Sequence, residues 1–416
     1  MTQSWRAALA AVGLAALVAG CSAAAPAVRV MPRSAGSEDD LPSPTREVLP
    51  NGLRLIIQDH RAADIVAVYL WVGVGVRYEK PDELGYSHFQ EHMLFKGTDK
   101  WGPGHIDRAV EGVGGRSNAV TSFDYTTFYI VVPSEAMDTA IELLADMAFR
   151  STFDAEEIPR EREVIFEEAR IEADNPRTAI VRQLYGLVFD GHPYGRPVLG
   201  TRETMTAATR ERLKAYNRRY YTPENMSVVV VGPVDPRAVR LSVATTFGRV
   251  PASGYRPAPV PAPRPLAGGL RREVERAEQQ AHLALGWLAP RADDTDGFAV
   301  DLLASIMAGA ESSRLAQRLR DEERLVSSIT MSYAALMGGG ILSLRAELEA
   351  KDLARVEQIV LEEIARMQES GPTEEELRYV ERLRQVTREQ IRDAARRVLS
   401  RSDYARLAFV PKKAGP

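Results

Sequence analysis

His88-Phe89-Gln90-Glu91-His92-Met93-Leu94-Phe95-Lys96-Gly97-Thr98 is the stretch on which the reading of this chain turns. His88 and His92 stand four residues apart, so on a helix both imidazoles leave one face and can share a metal ion. The segment Pro81 to Phe95 reads as that helix. Glu91 adjoins His92 and lies three residues from His88, within reach of a water between the imidazoles without being a ligand. A zinc ion held there lowers the pKa of such a water toward about 7, and a neighbouring carboxylate then accepts its proton. The order His-x-x-Glu-His is the inverted form of the zinc-peptidase helix. The bland alternative is a helix that carries these three residues by chance.

A catalytic zinc needs a third protein ligand and an open position. The acidic run Glu161-Arg162-Glu163-Val164-Ile165-Phe166-Glu167-Glu168-Ala169-Arg170 can supply the ligand from a second helix. Glu161 and Glu168 are two helical turns apart and share a face. A solvated acidic face is the ordinary reading of such a run, but Glu163 and Glu167 at i, i+4 repel, which favours a nearby cation.

Composition narrows the classes around this motif. Of 416 residues, 45% are hydrophobic and 26% charged, the proportions of a folded protein long enough for two or three domains. Fifty-three Lys+Arg against 57 Asp+Glu give a net charge of -4, without the basic stripe of a nucleic-acid binder. A single cysteine excludes an internal disulfide framework and a cysteine-rich metal site. Of the six histidines, His60, His105, His192 and His282 have no ligand-like spacing and read as structural or surface residues. Gly73-Val-Gly75 lacks a phosphate-loop continuation, and no Gly-x-Ser-x-Gly motif points to a serine hydrolase.

Arg6, the apolar run Ala7 to Ala19 and the tetrad Val18-Ala19-Gly20-Cys21 are the parts of an export signal, with the sole cysteine where lipoprotein signals place the lipidated residue. The tetrad resembles a bacterial lipobox. Residues 1–20 are therefore expected to be a signal peptide and 21–45 a flexible tether lipidated at Cys21. Ser22 after the cysteine points to the periplasmic side of the outer membrane, with a lipid anchor as the contact with the bilayer.

From Arg46 the chain alternates strand-like runs (Val66 to Val76, Thr126 to Val132) with helical periodicity (Ala136 to Phe149, Ala299 to Met307, Leu353 to Met367). Six prolines between Pro251 and Pro265 mark residues 249–269 as an extended linker between a first domain, 46–248, and a second, 270–416. Thr209-Arg210-Glu211 and Arg218-Arg219 recur as Thr387-Arg388-Glu389 and Arg396-Arg397, 178 positions on. Asp154 to Ile158 matches Thr373 to Leu377 at an offset of 219, so the second copy lacks about 41 residues after Leu377. The expectation is a duplicated unit, shortened in its second copy.

His88 to Thr98, Gly114-Gly115-Arg116-Ser117-Asn118-Ala119-Val120-Thr121-Ser122-Phe123-Asp124 and the acidic run together resemble the pitrilysin/insulinase-type zinc peptidases, which include the β subunit of the mitochondrial processing peptidase. The resemblance extends over most of residues 46–412. It implies an α+β fold of two homologous units, each a mixed β-sheet packed with helices, facing each other around a chamber. It implies one zinc per chain, held by His88, His92 and Glu168, since the 75 residues between His92 and Glu168 agree with the family spacing and select Glu168 over Glu167. Glu91 is then the catalytic carboxylate, and Glu161 matches the family's second acidic residue, which supports the site. Peptide substrates are expected to bind extended against a sheet edge, with Asn118 in the substrate-side strand.

The second half departs from the family. The substrate-engaging Arg aligns with Arg320, but the Tyr expected seven residues later is Ser327. Related enzymes divide the work between a zinc-bearing chain and a homologous subunit that lacks the zinc motif and keeps the Arg and Tyr; this chain resembles the zinc-bearing member. The competing expectation is a non-catalytic structural or peptide-binding subunit of the same fold.

Overall fold

In the computed structural model, residues 43–266, 268–378, 387–399 and 403–411 are described, and they build two mixed sheets on one plan. The first contains β1 (Thr45–Val48), β2 (Arg54–Asp59), β3 (Ile65–Val72), β4 (Arg116–Thr121), β5 (Thr126–Pro133) and β6 (Met226–Gly232), bonded in the order β1-β2-β6-β3-β5-β4. The second contains β7 (Arg271–Arg276), β8 (Ala281–Ala289), β9 (Val326–Ala334), β10 (Gly340–Leu348) and β11 (Ala405–Pro411), in the order β7-β11-β8-β10-β9. Without β1 the two orders correspond strand for strand, each with one parallel pair (β2 with β6, β7 with β11). That is the duplication expected from the repeated Thr-Arg-Glu and Arg-Arg pairs.

The helices of the first half are α1 (Tyr86–Leu94), α2 (His105–Glu111), α3 (Met137–Arg150), α4 (Glu157–Asp174), α5 (Pro176–Val188), α6 (Arg202–Thr206), α7 (Arg210–Tyr220) and α8 (Pro236–Thr245). Those of the second are α9 (Gly297–Ala304), α10 (Leu353–Ser370), α11 (Glu374–Arg378) and α12 (Arg388–Val398). Asp154 lies 56 positions before α7, whereas Thr373 lies only 15 before α12, so the second half is shorter by 41 residues where the first places α5.

Period-2 alternation sets the first core. Val66, Val68, Leu70 and Val72 of β3 are buried with Phe128 and Ile130 of β5 against α1, α3 and α8. The second sheet is covered on both faces. Its inner face packs on α9, α10 and α12, and its outer face receives α5 from the first half. Ile180, Leu184 and Val188 of α5 bury against Ala284, Leu407 and Phe409, each leucine contributing about 1.5–3 kcal/mol when fully covered. Gly286 permits the approach, because a Cβ there would meet Val188 at 2.8 Å and Leu184 at 3.0 Å. α5 thus belongs by sequence to the 46–248 segment and by packing to the second sheet.

Among the described residues, the outer face of the first sheet has no such cover. Register places Ile56, Val229, Tyr69, Tyr129 and Asn118 in one row across five strands. Tyr69 and Tyr129 stack with centroids 5.0 Å apart, and Trp71 lies 4.7 Å from Tyr125. These aromatics remain part-exposed, and no helix of the second half packs on them among the described residues.

The helix expected over Pro81 to Phe95 begins only at Tyr86. Gly85 has a left-handed φ of 86°, and a Cβ there would meet Gly200 at 2.7 Å, so the chain turns sharply before α1 starts. No described helix is long and apolar enough to cross a membrane. Residues 1–42, with Cys21, lie outside the described residues.

Candidate metal centre

α1 carries His88, Glu91 and His92 because its other face is anchored. Tyr86, Phe89 and Met93 are buried in the first core, and Gln90 donates to the Leu213 carbonyl at 2.8 Å. Gly85 offers no capping side chain, so Glu79 substitutes: its carboxylate accepts from the Gly85 and Ser87 N–H groups, both at 2.8 Å. Burial pushes that carboxyl up to about 8 despite these bonds.

α4 runs alongside α1, held by Ile158 and Ile165 in the core and by Arg162, which donates to the Met205 and Ala208 carbonyls. Arg170 draws Glu167 outward, 2.6 Å away, which leaves Glu168 facing α1. One Glu168 oxygen lies 3.5 Å from His88 Nε2 and 3.6 Å from His92 Nε2. The three candidate ligand atoms all fall within 4.8 Å of one another. Two imidazole nitrogens and one carboxylate oxygen form the N/O set of a three-ligand zinc site, so the residues fit the ion that the motif implies.

Glu161, seven residues before Glu168, meets the opposite side of His92. Its carboxylate accepts from Nδ1 at 3.0 Å and is itself held by Lys96 Nζ at 2.7 Å. Such a bond fixes the ring orientation and leaves Nε2 free to ligate. Burial, with the His92 charge beside it, pushes His88 down to about 4, so it stays in the neutral, ligating form. Burial also disfavours a charge on His92, but hydrogen bonds to Glu168 and Glu161 outweigh it and raise its pKa. The bond to His92 holds Glu168 below its ordinary value.

Glu91 is mostly buried, and burial lifts its carboxyl above the usual value although the Thr121 hydroxyl donates to it. Thr121 closes β4, which with β1 forms the two edges of the first sheet among the described strands. Sequence reasoning missed Thr121, Glu79 and Lys96. Only Thr121 left a signal: it shares strand parity with Ala119, the inward residue, and so points toward α1.

Asn118 occupies the same strand with opposite parity. It is exposed on the outer face, and its Oδ1 accepts from Ala119 N–H at 2.9 Å. Arg320 does not join the cluster: its guanidinium is held by Asp321 at 2.8 Å and by Glu311, within its own half. Ser327 donates to the Glu347 carbonyl at 3.3 Å. His192 bonds the Pro261 carbonyl of the linker at 2.8 Å, His105 stacks on Trp101, and His282 is buried in β8.

A duplicated α+β fold with an inverted His-x-x-Glu-His helix against an acidic helix defines a class of metallopeptidase-like proteins. The chain belongs to peptidase family M16. Residues 54–202 match the insulinase (peptidase family M16) model, and residues 207–383 match the peptidase M16 inactive domain. An uncharacterized zinc protease of Bacillus subtilis is 31% identical over 332 residues, covering 80% of each chain. In fold, the chain is similar to a protease from Helicobacter pylori (TM-score 0.84, 22% identity, covering 89% of this chain and 100% of that one). It is also similar to a peptidase M16 inactive domain from Pseudomonas fluorescens (TM-score 0.83, 18% identity, 90% and 99%).

Proposed function

We propose that this protein is a zinc-dependent endopeptidase that hydrolyses unfolded or short peptides. The observation that carries the reading is the convergence of His88, His92 and Glu168 within 4.8 Å, with the Glu91 carboxylate on the same helix face. One zinc per chain would be held by those three residues. When bound, zinc supplies a Lewis acid that acidifies water and polarises a peptide carbonyl. Glu91 takes the proton of the attacking water and returns it to the nitrogen as the C–N bond breaks. Its raised pKa suits both halves of that exchange, and Thr121 fixes the carboxylate that performs it. The free edge of β4 offers main-chain groups to an extended peptide beside Glu91. The test is cleavage of quenched fluorescent peptides by the zinc-loaded protein, abolished by a chelator and restored by zinc. Cleavage that survives complete metal removal would contradict it.

We further propose that the chain works beside a homologous subunit without the zinc motif. Two observations favour this. Arg320 is tied down by its own half while Ser327 stands where the family has Tyr, and among the described residues the outer face of the first sheet lacks the helix that α5 provides to the second. A partner helix over Tyr69, Trp71 and Tyr129 would bury that face as α5 buries its counterpart. Co-expression with such a homologue should give an equimolar complex with higher activity, lost on Tyr69→Glu. Full activity from a rigorously monomeric wild-type preparation would support instead a chain complete in itself. The same family fold can serve as a non-catalytic peptide-binding subunit; zinc binding without cleavage in the presence of the partner would favour that reading. Attachment to the outer membrane through Cys21 is part of the proposal, and lipid labelling lost in Cys21→Ala tests it.

A further inference from the structure

Beside the ligand cluster, a cavity of about 410 Å³ opens between the halves, walled by Phe123, Glu172, Arg182, Tyr185, Arg196 and Arg345. Its position is set by two chain continuations from the site. Glu172 follows Glu168 by one turn of α4, about 6 Å along the axis. Phe123 follows Thr121 by two residues, at most about 7 Å away, in the bend that joins β4 to β5.

The wall is cationic over an aromatic floor. Phe123 stacks on Tyr185 of α5 with centroids 5.1 Å apart. Arg177, Arg182, Arg196 and Arg345 surround this floor, against Glu172 as the acid among the lining residues. Arg177 is spent on Glu347 at 2.6 Å. Arg182 is only 3.7 Å from Glu172, a loose pair. Arg196 donates to a neutral carbonyl, that of Glu79, at 2.6 Å. Arg345 of β10 makes no ion pair among the described residues. Arg196 and Arg345, without carboxylate partners among the described residues, and Arg182, only loosely paired, line an aromatic surface and suit a carboxylate carried on a short aliphatic stem.

We infer that this cavity is a specificity subsite for an aspartate or glutamate side chain of the peptide, within about three residues of the scissile bond on its amino-terminal side. The inference rests on the peptidase reading given above. Direction follows from pairing: β4 runs toward Thr121 and Phe123, so a peptide antiparallel to it, the more stable pairing, passes Phe123 before it reaches Glu91.

The test compares the zinc-loaded full chain with Arg182→Glu/Arg345→Glu on peptides that differ only by Glu, Gln or Lys at each position near the cleaved bond. The wild type should favour Glu over Lys by on the order of tenfold or more in kcat/KM at one amino-side position, and the variant should reverse that order. Cleavage with no such preference, or with the same preference in both proteins, overturns the subsite. A second arm measures binding of the same labelled peptides to zinc-loaded Glu91→Gln protein with and without the arginine changes. If no peptide is cleaved even with the proposed homologous subunit added, the peptidase reading fails, while the binding order, Glu over Lys and reversed by the arginine changes, still decides the subsite. Equal zinc content in all proteins shows that the site is intact.

Discussion

Replacing Glu161 by Ala isolates the orienting role of a residue that touches no metal. Its carboxylate bonds His92 Nδ1 at 3.0 Å and takes a 2.7 Å ion pair from Lys96, with its side chain only 8% exposed. Removing it frees the His92 ring and leaves a largely buried Nδ1 without its acceptor, a loss of about 1–3 kcal/mol. Partners of this kind typically tune metal affinity by about 10–100-fold, or about 1.4–2.7 kcal/mol, and the two estimates agree. The assay is zinc competition against a chromophoric chelator, with circular dichroism to show that the variant is folded. Glu168→Ala, which removes a proposed ligand, should weaken binding further. Lys96→Met keeps the Glu161–His92 bond and should cost at most about fivefold, since a part-exposed ion pair contributes about 1 kcal/mol or less. A folded Glu161→Ala protein with wild-type zinc affinity would refute the reasoning.

Other consequences follow from packing and from the cap of α1. Gly286→Val drives a methyl into Val188 and Leu184 and should lower unfolding free energy by about 1–3 kcal/mol in denaturant titration; an unchanged midpoint would mean that α5 does not pack as described. Glu79 has a folded pKa near 8 against an ordinary 4.5, so the folded state holds its proton more tightly over that window. Its contribution is therefore complete below pH 4.5 and lost as pH rises through 8, and the stability difference between wild type and Glu79→Gln should move against the wild type over that range. A difference that stays flat with pH would show that the buried carboxyl does not titrate there.

The parts of this protein visible in its sequence are those written in local spacing. The i, i+4 histidines, the alternation of β3 and the recurring Thr-Arg-Glu and Arg-Arg pairs each report a local geometry, and each has its counterpart in the structure. What stayed hidden depends on contacts between distant segments. Nothing local in Pro176–Val188 says that its apolar stripe lies on the second sheet rather than the first. Glu79 looks like any glutamate two residues before a proline, and only the turn at Gly85 brings it over the α1 N-terminus. The acidic run left Glu167 and Glu168 open until family spacing chose between them, and the structure adds a physical cause in the Arg170 pair. Arg320 aligned with a substrate-binding position, but neighbouring acids, Glu311 and Asp321, hold it.

In the proposed mechanism Glu91 moves the proton while His88, His92 and Glu168 hold the ion. Glu91→Gln separates these roles, because the amide keeps the shape and the bonding reach toward Thr121 but cannot accept a proton. The measurement is zinc content and peptide turnover on one preparation, with the proposed homologous partner added. One zinc per chain is expected together with turnover lowered by at least about 10²-fold. Full zinc occupancy with undiminished turnover would contradict it.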